Sequence, residues 1–185
     1  MSDPRARAAL AGLVGVTVLF LAACGGGSIP GQATTPEGSA SASDTSPRGG
    51  IDKVDPCKLL SASQLSTFGL QTTGKPDKLV SEPYCEYDGD PFSIRVITSP
   101  NRNLEKFKSA GQTYDRFEPN QVNGRPGAKI IVAGDTGHGG CVQLMDAGQG
   151  SARIQVNYKF GKYEGKDPCA DAMAIAKLVE PNLPK

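Results

Sequence analysis

The chain has 185 residues, with 20 lysines and arginines against 19 aspartates and glutamates and no block of like charge. It therefore carries no long-range field that would gather nucleic acid or an anionic bilayer, and no nucleic-acid partner is expected. The length allows one domain with one core, after about a quarter is set aside for the N-terminal segments described next.

Arg5 and Arg7 precede an apolar run over residues 8–21. That run is about 14 residues, too short for the roughly 20 a spanning helix needs, so it reads as an export signal. It ends in Leu21-Ala22-Ala23-Cys24-Gly25. A leucine three positions before a cysteine, with two small residues between and a glycine after, resembles the lipobox cut by the bacterial lipoprotein signal peptidase. The resemblance implies that the Cys24 thiol carries a diacylglycerol and becomes the first residue of the mature protein. Two acyl chains make a stable anchor where one holds only marginally. The expected address is the extracytoplasmic face of the cell membrane.

Residues 1–23 are thus read as signal, 24–50 as lipidated cysteine and tether, and 51–185 as the folded domain. The tether is nearly all Gly, Ser, Thr, Ala and Pro, with Ile29 its only large apolar residue. It cannot bury enough surface to offset its ordering entropy. Thr34, Thr35, Ser39, Ser41, Ser43, Thr45 and Ser46 also resemble the O-mannosylated stalks of actinobacterial lipoproteins, while a plain spacer explains them equally.

In the folded domain, Asp55-Pro56-Cys57 supplies an N-cap, a first-position proline and a cysteine on the first turn. Ser61-x-x-Gln64 is a second start of capping-box type, with Gly69 as the stop. Residues 79–87 and 92–98 read as a hairpin around Asp88-Gly89-Asp90-Pro91. Asn103 caps a helix over 104–110 that Gly111 ends. Residues 114–123 read as irregular. Strands then follow over 128–133, 141–146 and 152–160, joined by glycine-rich loops into a meander. In the last of these, Ile154, Val156 and Tyr158 alternate with Arg153, Gln155, Asn157 and Lys159, giving one core face and one wet face. Asp167-Pro168-Cys169 repeats the opening signature and starts a helix that Pro181 ends.

The fold class expected is α+β: an antiparallel sheet of about five strands with N- and C-terminal helices packed on one face and the other face open. With Cys24 given to lipid, Cys57, Cys85, Cys141 and Cys169 form an even set in an exported chain, so two disulfides are expected. Four cysteines allow three connectivities. The reading preferred is nested, Cys57 with Cys169 and Cys85 with Cys141, because the first and last helices share one start signature.

Asp55-Pro56-Cys57-Lys58-Leu59-Leu60-Ser61, Tyr84-Cys85-Glu86-Tyr87, Gly140-Cys141-Val142 and Asp167-Pro168-Cys169-Ala170 together resemble an actinobacterial secreted-lipoprotein family catalogued as a domain of unknown function. Tyr87 stands where that family more often has tryptophan. The resemblance implies an envelope address and a cystine-bridged α+β domain, and it brings no established activity.

Other constellations give no catalytic residue, metal ligand or cofactor. His138 is the only histidine and lies in a glycine-rich loop, without the fixed partner that a triad or zinc site needs. The cysteines lack Cys-x-x-Cys spacing. Residues 134–140 lack the Gly-Lys-Ser/Thr ending of a phosphate loop and lead into a strand, so they read as a hairpin. Glu82, Glu86, Asp88 and Asp90 cluster near the first hairpin, either as solvated turn residues or as a glycosidase pair or calcium site. Tyr84, Tyr87, Tyr114, Tyr158 and Tyr163 are core-edge residues or a recognition surface. The function expected is a non-enzymatic binding module for an envelope protein, glycan or lipid. Two alternatives stand beside it: a secreted hydrolase or metal-dependent enzyme using carboxylates, and a lipid carrier, which needs an apolar cavity between sheet and helices.

Overall fold

The computed structural model describes residues 50–110 and 114–185. The expected signal, the lipidation site Cys24 and the tether as far as residue 49 lie outside the described residues, as does Gly111.

The architecture is mostly β. Seven strands, β1 (Lys75–Leu79), β2 (Glu82–Tyr87), β3 (Phe92–Ser99), β4 (Tyr114–Val122), β5 (Arg125–Val132), β6 (Gly140–Ala147) and β7 (Gly150–Tyr158), form one sheet in the order β1-β2-β3-β7-β6-β5-β4. Every pairing is antiparallel. Among the described residues three α-helices accompany it, α1 (Ala62–Thr67), α2 (Leu104–Ser109) and α3 (Pro168–Val179), with short 3-10 turns at Ile51–Lys53, Pro56–Lys58 and Glu180–Asn182.

Helix starts follow the local chemistry of the chain. The Asp55 carboxylate accepts from the Cys57 N–H at 2.9 Å, and the Asp167 carboxylate accepts from Cys169 and Ala170 N–H, both at 3.0 Å. Ser61 and Gln64 satisfy each other's backbone N–H groups as a capping box, and Asn103 caps α2.

The sheet has two strands more than expected, and both additions are edges. β1 is exposed at all five positions, so it carries no buried alternation to read. β4 contains Pro119, which an edge strand tolerates because no neighbour needs its missing N–H. The expected strand over 79–87 is broken by a turn in which Val80 takes φ 59°, and Leu79 ends β1 instead. The expected irregular stretch is β4, closed onto β5 by Asn123-Gly124, both at positive φ (50° and 88°) as a tight hairpin turn requires. The chain thus runs β1-β2-β3 as a meander, crosses through α2 to the far edge, and returns β4-β5-β6-β7 until β7 pairs with β3.

In-register residues share a face, which separates two apolar clusters. On one face, Cys85, Val96, Ile154 and Gln143 line up across four strands, beside Tyr87, Ile94, Val156 and Cys141. The buried cluster here also contains Leu65 of α1 and Ala172, Ile175, Ala176 and Val179 of α3. We call it the helix face. On the other face, Phe107 of α2 is buried with Ala128, Ile130, Val142 and Leu144. The expectation of a sheet covered on one side only is therefore corrected: α2 covers part of the second face.

The disulfides are Cys57–Cys85 and Cys141–Cys169, which overturns the nested pairing. The reason lies in the strand order. β3 and β7 stand between β2 and β6, so Cys85 and Cys141 are three strand spacings apart, about 14 Å at ~4.8 Å each, whereas a disulfide bridges Cα atoms at most about 7 Å apart. Each Asp-Pro-Cys turn is bonded instead to the strand beneath it. Both bridges have a sequence separation of 28, for which the chain-entropy treatment gives about 3–4 kcal/mol each.

Candidate binding groove

The second face of the sheet carries a groove of about 330 Å³. Its apolar walls include Leu79, Phe107, Ile130, Val132 and Val142, and its polar residues are Tyr114, Arg153 and Gln155. Leu79 of β1 and Val132 of β5 are separated by four intervening strands, so the sheet must curl for both to line one groove. These two residues are 52% and 46% exposed, among the few large apolar ones left in water among the described residues.

One end of the groove is charged. Arg153 and Gln155 alternate with the core residues of β7 and so point to this face, where the sequence pattern had promised only water. Arg153 is instead mostly buried, with its side chain 13% exposed. Its guanidinium donates to the Glu82 carboxylate and, at 3.2 Å, to the Ser99 hydroxyl. The Arg153 Nε is buried without a hydrogen-bond partner. Arg102 meets the other Glu82 oxygen at 3.5 Å. The Phe107 ring lies against both guanidiniums, 3.9 Å from Arg102 and 4.8 Å from Arg153, in cation–π geometry. Burial pushes the pKa of Arg153 below its ordinary value, against the pull of Glu82. Burial likewise raises that of the Tyr114 hydroxyl.

The four carboxylates singled out in the sequence do not converge. Glu82 is buried between Arg153 and Arg102, Glu86 pairs with Arg95 at 2.7 Å, and Asp88 pairs with Lys75 at 2.6 Å. Asp90 precedes a cis proline at the β2–β3 turn. The tyrosines are also dispersed. Tyr87 is buried with its hydroxyl donating to the Cys57 carbonyl, Tyr84 donates to Asp77, and Tyr158 donates to Asp171; only Tyr114 reaches the groove.

His138 lies in the β5–β6 loop, in the glycine-rich stretch that reads as a hairpin. That loop folds around a carboxylate of the chain itself: one Asp115 oxygen accepts from the Gly134 N–H, the Thr136 N–H and the Thr136 hydroxyl at 3.1, 3.2 and 2.7 Å. These donors hold the Asp115 pKa below the usual carboxylate range, the Thr136 hydroxyl first among them. Among the described residues, no three His, Cys, Asp or Glu side chains are grouped to hold a metal ion, and no helix is long and apolar enough to cross a membrane.

Sequence reasoning missed Arg102, Phe107 and Arg153 as site residues. A signal was present in β6, where Cys141-Val142-Gln143-Leu144-Met145 is apolar at almost every position rather than at alternate ones. All five are buried, and a strand of that kind has both faces covered.

A profile for the family described as "Protein of unknown function (DUF3558)" matches residues 19–182. No curated protein and no solved structure matches the chain.

Proposed function

The chain belongs to the DUF3558 family, and on that premise we propose that it is a lipid-anchored binding module of the cell envelope whose ligand occupies the groove between α2 and the sheet. The observation that carries this reading is the groove itself. Ligand sites are typically concave, mostly apolar, about 300–1,000 Å³, and oriented by a few polar groups, and this one has that size and that composition. The lipobox at 21–25 supports the anchor and the outward address, as does the resemblance to mycobacterial lipoproteins of the LprB and LprC kind. Glu82, Glu86 and Asp88 are each committed to a cation, which weighs against a hydrolytic carboxylate pair.

Two measurements test the reading. Cys24→Ala should leave the protein unacylated and released from membranes; retention in the membrane fraction would refute the anchor. An uncharged environment-sensitive naphthalene dye should brighten on the full chain and lose that response in Val132→Glu, which puts a charge on the groove rim without disturbing the core. An unchanged response would refute the groove.

A further inference from the structure

Resting on the lipid-anchor part of that reading, and independent of what the groove holds, we propose that the tip of the β1–β2 hairpin, Leu79-Val80, docks into the surface of the phospholipid bilayer. The contact orients the anchored domain. Three observations carry the inference.

The first is the make-up of the tip. Leu79 is 52% and Val80 95% exposed, and among the described residues they are the one pair of large exposed apolar side chains adjacent in sequence. Apolar residues scattered singly over a surface are ordinary. Two together at the point of a hairpin form a small aliphatic wedge.

The second is conformation. Val80 takes φ 59°, a backbone state that glycine or asparagine adopts at least cost and a β-branched residue adopts rarely. Nothing inside the domain repays that cost, because Val80 meets solvent over nearly all of its surface. The side chain therefore has its use outside the fold, and strain kept at an exposed position is a mark of functional sites.

The third is position. Gly50 is the first described residue, and from it the chain leads back to Cys24. The next residue, Ile51, and the Ser99 carbonyl both lie so close to Gly150, at the start of β7, that a Cβ there would clash with them. Leu79 pairs with Glu82, and Glu82 is joined to Ser99 through the Arg153 guanidinium. The wedge and the point where the chain enters from its anchor thus share one end of the sheet. Phe160, as exposed as Val80, follows the opposite end of β7.

Two aliphatic side chains are too few to hold a free domain to a membrane. An anchor at Cys24 removes that difficulty, because docking becomes intramolecular, and burial of Leu79 and Val80 then favours the docked state roughly tenfold. The wedge is apolar, so docking needs no anionic lipid, in keeping with 20 basic against 19 acidic residues in the chain. Leu79 also lines the groove, so docking brings that wall to the bilayer surface.

The test uses the mature lipoprotein in phosphatidylcholine vesicles whose acyl chains carry bromine, a quencher of bimane fluorescence. Bimane is placed on Ser81→Cys, beside the tip, or on Phe160→Cys, at the far end. Flotation reports vesicle binding, and thermal unfolding confirms that each variant is folded. The expected result is quenching at least about twofold greater at position 81 than at position 160. Adding Val80→Asn and Leu79→Thr, which suit the turn and the strand, should abolish the difference while the protein still floats. Floating protein with equal quenching at the two positions would overturn the docking and leave the anchor standing. Quenching at 81 that survives the added pair would do the same. Protein that fails to float with the vesicles would overturn the anchor and the docking together.

Discussion

Cys85 and Cys141 stand on the same face of the sheet with β3 and β7 between them, and each is bonded to the cysteine of the Asp-Pro-Cys turn packed above its own strand. The repeated motif therefore acts twice as the same device. A carboxylate caps the turn, a proline fixes its entry, and the cysteine bonds it to the sheet. Peptide mapping without reduction should recover Cys57 with Cys85 and Cys141 with Cys169. Replacing either pair by alanine should lower stability by about 3–4 kcal/mol in denaturant titrations.

Val80 holds a left-handed backbone at φ 59° while 95% exposed, an uncommon state for a β-branched residue. No packing rewards it there. Val80→Asn should raise stability by about 1 kcal/mol, read as a shift in the urea midpoint, because asparagine adopts this conformation at lower cost. An unchanged midpoint would mean that the turn is not strained.

Arg153 and Glu82 form a mostly buried ion pair, and removing Arg153 leaves the Glu82 carboxylate with only the 3.5 Å contact to Arg102. Arg153→Gln should destabilise the domain by about 3 kcal/mol or more, whereas Arg153→Gln combined with Glu82→Gln should recover most of that loss. The comparison is made by denaturant titration of the two variants. Equal loss in both would show that the pair's electrostatics are unimportant.

The Tyr158 hydroxyl has its pKa pushed up to about 12 by burial and by its hydrogen bond to Asp171. In the unfolded chain it titrates near the ordinary tyrosine value of about 10. Above that pH the unfolded state has lost the proton while the folded state keeps it, so the stability from this group is complete below pH 10 and is lost as pH rises towards about 12. Tyr158→Phe should flatten that alkaline decline in a series of melting temperatures. A decline of the same depth in the variant would assign it to other groups.

Much of the fold was legible because the chain marks its helix starts in local chemistry: Asp55, Ser61, Asn103 and Asp167 cap the elements they were expected to cap. The central strands β3, β6 and β7 were legible from their apolar content. The edges were not. β1 buries nothing and β4 contains a proline, so neither carries the pattern by which a strand is recognised. The disulfide pairing was illegible for a related reason, since it depends on which strands are neighbours. Sequence order placed β6 after β5, and nothing local showed that β7 would return to the centre and divide Cys85 from Cys141. The groove escaped notice because it lies where a polar alternation in β7 is overlaid by an apolar cover from α2, and Arg153 belongs to both descriptions.

A binding role requires that the groove be occupied in living cells. A photoreactive side chain placed at Val132, on the groove rim, and in a separate variant at Phe160, which is 95% exposed and not among the groove's lining residues, tests this in intact cells. A ligand in the groove gives a discrete adduct at position 132 and none at position 160. Absence of an adduct at 132, or the same adduct at both positions, would contradict it.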